Sequence, residues 1–253
     1  MNNEALEARL NFLEDQFKDV EKLKSEVETL REQVKDKDYQ IRILQDLEDI
    51  KRLQCAYGYY LEHWMSEEII DCFSTSPEVS GTFVEGTYNG PEGIRKYFGR
   101  TRDIPPEFLH QVMQVSPVIT VEPDGIRAKG RWYGYGTVAF RAVNGIIDPS
   151  YMSVIYEMEY IKEDGVWKIL KLALLLHYTY SPGRSRVNLE EAAPDTPAER
   201  IQLNPDVWAE YDTSYPSGYI YPFHFKHPVT GKETSEAKRN STLKLNPNRF
   251  RPK

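Results

Sequence analysis

Acid–base chemistry needs proton-exchanging groups with hydrogen-bond donors beside them, and the middle of this chain carries a carboxylate, an imidazole and a phenol of this kind among aromatic side chains. Tyr57 and Glu62 lie five residues apart in one helical run, and His110 opens a later β-rich run. A carboxylate at the wall of an apolar cavity is poorly solvated, which raises its pKa and makes it a usable acid or base. A tyrosine hydroxyl can donate to a substrate oxygen on which negative charge develops. Five helical residues turn the chain through about 140°, so Tyr57 and Glu62 would flank a cavity rather than stack. Tyr57, Tyr60, Leu61 and Trp64 also fit one helical face, and read equally well as core, with Glu62 a surface acid.

A second set of residues suits substrate binding: Tyr59, Trp132, Tyr133, His177 and Tyr178. Trp132 shares strand parity with the small residues Ala128 and Gly130, as a pocket wall or a core residue would. His177 and Tyr178 close the last β-rich run, where a bulge would redirect one of them inward. Other groups carry less. Glycines 130, 134 and 136 lack a following helix and read as devices for bending a strand, not as a phosphate loop. His224 and His227 have no Cys or carboxylate at ligand spacing, so no metal is expected, and no cofactor fingerprint is present. Asn240-Ser-Thr matches a glycosylation acceptor, which matters only for a secreted chain.

Three stretches must position these residues. Residues 1–45 form a heptad helix: Leu6, Leu10, Leu13, Phe17 and Val20 follow a 4-3-4-3 spacing. After one stammer-like step, Leu23, Val27, Leu30, Val34, Ile41 and Leu44 resume the pattern. A lone helix of that shape leaves its seam in water, so oligomerisation through a coiled coil is expected, with dimer and trimer both open; the alternative is a single amphipathic helix folded back on its own domain. Residues 46–180 read as an α+β domain. The helix continues over 46–64, SEEIIDCF makes a second helix behind a Ser66 cap, and PEGIRKYFGR makes a third with Pro91 in its first turn. Then HQVMQVSPVITV, GIRAKGRWYGYGTVAFRAV, SYMSVIYEMEYI and WKILKLALLLHYTY are β-rich runs parted by EPDG, NGIIDP and KEDG. Such turns join antiparallel neighbours, which implies a curved sheet with helices on one side, closing over a pocket. Residues 181–253 hold nine of the chain's 16 prolines, yet carry Trp208, Tyr211, Tyr215, Tyr219, Tyr221, Phe223 and Phe225. Disordered tails are poor in aromatics, so an extended arm packed on its own domain or a neighbouring subunit is expected, ending in a frayed basic terminus from Lys238.

Composition excludes several classes. With 40% hydrophobic and 28% charged residues the chain is neither disordered nor fibrous. A net charge of −7 argues against gripping nucleic-acid backbones. No run of about 18 apolar residues is present, so no membrane span is expected. The polar opening MNNEALEARL and only two cysteines, Cys55 and Cys72, lead us to expect a reducing, cytoplasmic setting.

The segment LQDLEDIKRLQCAYGYYLEHWMSEEIIDCFS resembles the opening helices of the SnoaL-like branch of the nuclear transport factor 2-like superfamily, whose pattern is I-x-x-L-x-x-x-Y and then L-[DE]. VSGTFVEGTYNGPEGIRKYFG, SPVITVEPDGIRAKGRWYGYG and YIKEDGVWKILKL resemble its later segments, so the likeness spans about 46–180. The resemblance implies an α+β cone: a strongly bent antiparallel sheet around a hydrophobic cavity, capped by helices. It also implies kinship with cofactor-free lyases and isomerases such as scytalone dehydratase, bile acid 7α-dehydratase and diarylpropane lyase, alongside plain binding modules. In the dehydratases the positions matching Tyr57 and Glu62 hold a Tyr and an Asp. The position of the usual histidine is Val112 here, with His110 two residues earlier on the same side of the strand, and the position of an occasional catalytic arginine is Leu176. The expected function is a cofactor-independent lyase, of dehydratase or retro-aldol type, acting by acid–base chemistry on an aromatic or polycyclic hydrophobic substrate, catalysed by Tyr57, Glu62 and His110. The expected assembly is a homo-oligomer through the coiled coil and the sheet face, with no nucleic-acid or membrane partner. The rival readings are an isomerase or cyclase of the same fold and a non-catalytic ligand-binding or assembly module.

Overall fold

The computed structural model of the chain describes residues 3–99, 109–141, 147–180, 204–208, 224–226, 228–230 and 232–233. The expectations for Asn144–Ile146 of the NGIIDP turn, for Tyr211, Tyr215, Tyr219, Tyr221, Phe223 and His227, for Asn240 and for the basic terminus lie outside these residues. The chain divides into two units, Met1–Asp46 and Leu47–Lys253.

The first unit is helix. It is the opening part of α1 (Asn3–Glu62), which runs for 60 residues without a break. No Gly or Pro interrupts it before Gly58, and ion pairs one turn apart, such as Lys18 with Asp15 at 3.2 Å, dress its polar faces. Its seam is bare: Leu30 is 57% and Leu44 62% exposed.

The second unit begins where α1 starts to bury one stripe. Ile50, Gln54, Tyr57 and Leu61 follow helical spacing and are all buried. The helix ends in a Schellman motif, with Trp64 N–H donating to the Leu61 carbonyl and Met65 N–H to the Tyr60 carbonyl. The left-handed position of that motif, φ 50°, usually belongs to glycine and is occupied here by Trp64. Helix α2 (Ser66–Asp71) follows at once. Ser66 does not cap it as expected: it is the first helical residue, and its hydroxyl donates to the Phe98 carbonyl at 3.0 Å, tying α2 to α3 (Gly90–Gly99).

Two short strands that the sequence pattern did not reveal, β1 (Ser80–Thr82) and β2 (Gly86–Asn89), precede α3. The meander then matches expectation closely: β3 (Leu109–Val121), β4 (Arg127–Arg141), β5 (Ile147–Glu163) and β6 (Val166–Tyr180). The KEDG turn places Asp164 and Gly165 at φ 50° and 82°, as a tight hairpin between twisted strands requires. A two-residue strand, β7 (Val207–Trp208), completes the sheet in the order β3-β4-β5-β6-β1-β2-β7. All pairs are antiparallel except β1 with β6. The sheet is curved and open, and the fold is α+β.

Curvature comes from bulges and missing side chains. The β3–β4 register shifts between Val115 and Val118, where Ser116 takes φ 54°, and the β5–β6 register shifts beside His177 and again beside Leu170. On β4 the glycines make room. A Cβ on Gly134 would lie 2.4 Å from Val154 Cγ2 and 2.6 Å from Tyr156 Cε2, and one on Gly136 would lie 1.7 Å from the Gln111 carbonyl oxygen.

The arm meets its own domain at two described points. Asp206 N–H donates to the Thr87 carbonyl at 2.9 Å, and the Asp206 carboxylate accepts from Asn89 N–H at 2.7 Å. Farther along, His224 lies 3.5 Å from Glu157, which is bound to Arg131 at 2.6 Å. No helix among the described residues is long and apolar enough to cross a membrane.

Replacing Gly136 by Ala forces β3 away from β4 and is expected to cost about 1–3 kcal/mol. Gly99→Ala, with open space around it, should be close to neutral. Denaturant unfolding of the two variants checks the difference.

Candidate active site

The inner face of the sheet carries alternate residues of β3 and β4, and the buried stripe of α1 lies against it. Four side chains form one buried polar chain across this contact. Trp132 Nε1–H donates to the Tyr160 hydroxyl at 3.0 Å, and that hydroxyl donates to Gln54 Oε1 at 2.7 Å. The Gln54 amide nitrogen then donates to Gln114 Oε1 on β3. Gln54 and Tyr160 are fully buried, so these bonds satisfy groups that water cannot reach. Gly58 lets α1 approach: a Cβ there would lie 3.3 Å from the Gln114 amide nitrogen. The sequence marked Trp132 as pocket wall or core. Nothing in it pointed to Gln54, Gln114 and Tyr160, because a glutamine on a helical stripe and a tyrosine in a β-run look like ordinary surface and core residues.

Tyr57 sits deeper in the same interior. Its ring meets Phe73 and Phe98 edge-on at 6.0 and 6.3 Å. Burial, reinforced by Tyr156, Tyr97 and Cys72, pushes its phenol well above the ordinary value. The phenol therefore stays protonated and acts only as a hydrogen-bond donor or acceptor, never as a base, near neutrality. The Cys72 thiol, pushed up to about 12 by burial and by Asp71, is likewise unionised.

His110 lies at the start of β3, paired with Val138. The Trp64 ring packs edge-on against it at 5.2 Å, so the strained end of α1 is what covers this imidazole. Burial lowers its pKa from 6.5 to about 4, opposed by a backbone hydrogen bond, and the ring is neutral at physiological pH.

Glu62 is about 140° round the helix from Tyr57 and faces elsewhere. It accepts a hydrogen bond from the Gln111 amide at 3.3 Å, an exposed contact on the edge strand beside His110. The helix end and the start of β3 thus make two separate contacts, Glu62 with Gln111 and Trp64 with His110, through consecutive β3 residues that point to opposite faces, with Tyr57 farther into the core. The remaining candidates are placed differently. Tyr59 is 68% exposed on α1. Tyr133 projects from the opposite face of β4 to Trp132, and its ring lies 6.3 Å from His177 at the β6 bulge. Burial and then Arg131 lower the His177 pKa. Tyr178, paired with Ser153, lies on the far side of that bulge.

A SnoaL-like domain model matches residues 42–173, more than half of the chain, and the protein belongs to this family, a branch of the nuclear transport factor 2-like superfamily. Solved structures are similar to the chain at low identity. A protein of unknown function from Mycobacterium tuberculosis is 19% identical, over 63% of this chain and 91% of its own, with a TM-score of 0.47. A candidate scytalone dehydratase from Novosphingobium aromaticivorans is 15% identical over 59% and 95%, TM-score 0.49. A hexachlorocyclohexane dehydrochlorinase from Novosphingobium barchaimii is 18% identical over 58% and 97%, TM-score 0.46. No curated protein matches the sequence.

Tyr160→Phe removes the central hydroxyl and leaves Trp132 Nε1 and Gln54 Oε1 buried without it. A loss of about 1–3 kcal/mol is expected, read from the denaturant midpoint. For His110 the folded pKa lies below the unfolded one, so between about 6.5 and 4 the unfolded chain binds more protons. Stability is full above that window and falls as pH drops through it. His177 adds a slope of the same sign, so the measurement is the difference: His110→Gln should flatten the pH dependence relative to the parent protein.

Proposed function

We propose that the protein is a cofactor-independent lyase of dehydratase type that acts on an aromatic or polycyclic alcohol. The observation that carries this reading is His110: an imidazole under Trp64, at the inner face of the sheet, which burial keeps in its neutral, proton-accepting form while making it a weaker base than an exposed histidine. In this reading His110 takes a proton from carbon next to the departing group. Tyr57, held protonated, donates a hydrogen bond to the oxygen on which charge collects. The proton that His110 takes from carbon passes to the leaving hydroxyl, which departs as water, so the step balances without a second donor; Glu62, bonded to Gln111 at the rim, is the alternative acid–base group. The aromatic interior supplies binding energy and excludes water. The related structures named as a dehydratase and a dehydrochlorinase are eliminating enzymes by name, and the family hosts such chemistry without metals or coenzymes. An isomerase or cyclase would use the same proton transfer without the departure.

A second reading, a ligand-binding or assembly module, is favoured by a different observation. Tyr57 is packed tightly enough against Phe73 and Phe98 to serve as core alone, and Val112 and Leu176 stand where relatives place polar groups.

The test is a panel of aromatic and sterol-like alcohols incubated with the protein, with product mass measured. At least one should lose the mass of one water. His110→Gln is expected to lower kcat about 10²–10⁴-fold and Tyr57→Phe by a similar order, with circular dichroism confirming the fold. Turnover unchanged in both variants removes this site, and no turnover of any compound with retained binding favours the second reading.

A further inference from the structure

We propose that the bare seam of α1 is the pairing surface for a second copy of this chain, and that two copies wind around each other in parallel and in register. Three features of the seam support this pairing.

The first is its exposure. Leu6, Leu13, Val27, Leu30 and Leu44 are each about half exposed or more, whereas Ile50, on the same helix, is fully buried. The seam therefore stops where the chain's own second unit takes over the burial. A single solvated helix does not keep an apolar stripe of this length for its own stability.

The second is which residue stands where. From Val20 onward the a positions of the heptad are Val20, Val27, Val34 and Ile41, every one β-branched, and the d positions are Leu23, Leu30, Lys37 and Leu44. β-branched residues at a with leucine at d favour two parallel strands, because the side chains at the two layers meet their partners at different angles. Lys37 is the one polar d residue in this stretch, and its long stem can reach solvent at the edge of a two-stranded seam. Val20 belongs to both frames: it is d for Leu6, Leu10, Leu13 and Phe17, and a for the layers from Leu23 to Leu44. The three-residue step is therefore absorbed at one layer by local overwinding.

The third is charge. In a parallel pair, each g residue faces the e residue five positions later on the partner. Arg9 then faces Glu14 and Glu26 faces Arg31, opposite charges in both cases. Gln33 faces Asp38 and Gln16 faces Glu21, which are compatible, and none of these four pairs sets like charges together. The flanks are therefore complementary to themselves at zero offset, which points to a second copy and not to a different helix.

The geometry is tested in the full chain with Cys55→Ser, which removes the exposed thiol. Two added-cysteine probes, Leu10→Cys and Ile41→Cys, sit at a positions near opposite ends of the seam, and the buried Cys72 is retained in each. Under mild oxidation each should give a disulfide-linked dimer by itself, and light scattering of the parent should give two chains. A probe at Ser25, an outer position, should not cross-link. Cross-linking only when the Leu10→Cys and Ile41→Cys proteins are mixed would mean antiparallel pairing and would overturn the proposal. So would a mass of three chains, or the absence of cross-linking from either probe alone. The register has its own test. Arg31→Glu should lower the thermal midpoint of the coil, and adding Glu26→Arg should restore most of that shift. No shift in the single variant, or no recovery in the double, would exclude the assigned register.

Discussion

The second unit depends on hiding polar groups at a helix–sheet contact. The end of α1 must bury Gln54 beside Tyr57, and a buried amide left unpaired costs several times what its hydrogen bond gains. Tyr160 resolves this by accepting from Trp132 and donating to Gln54, while Gln114 takes the other end of the amide. Each of these residues comes from a different element, so the chain of bonds fixes the rotation of the helix and the alignment of β3, β4 and β5 together. The glycines of β4 follow from the same demand. Gly130 leaves room for the Tyr160 ring, whose edge would lie 2.9 Å from a Cβ there.

The candidate acid–base residues sit at the border of this contact. The helix ends at Trp64, in a backbone conformation that glycine would adopt more readily, and the indole lies on His110. A non-glycine residue at a left-handed position costs on the order of 1 kcal/mol, which the surrounding packing must offset. The result is an imidazole screened from water and a carboxylate, Glu62, left at the rim. The two candidates thus lie in different surroundings, the imidazole covered by an indole and the carboxylate in an exposed contact with Gln111.

Much of this was legible in the sequence. Alternation and turn residues set the four long strands to within a few residues, and the glycine run on β4 was readable as a bending device because no helix follows it. The hairpin of β1 and β2 was not: three- and four-residue strands carry too short a pattern, and their place depends on β6, far away in the chain. Of the site, residue types and family spacing picked out Tyr57, Glu62 and His110, yet the sides on which they lie depend on helix rotation. Tyr133 and His177 were each readable as binding side chains, but strand parity and a bulge set them together on the face opposite Trp132. The glutamines were invisible, since only a partner across the core distinguishes a buried amide from an exposed one.

The parallel pairing of β1 with β6 also governs how the domain is made. Ser80 finds its partner at Lys171, about ninety residues later in the chain, whereas the strands from β3 to β6 each pair with the next. Local meanders close quickly, and contacts of long sequence separation close last. During synthesis the β1–β2 hairpin and α3 must therefore wait, with both strand edges open, until β6 has emerged. Only then can β7 add to the far side of β2. A cell making this protein faces its greatest aggregation hazard in that interval, and translation speed between residues 90 and 170 becomes a determinant of yield.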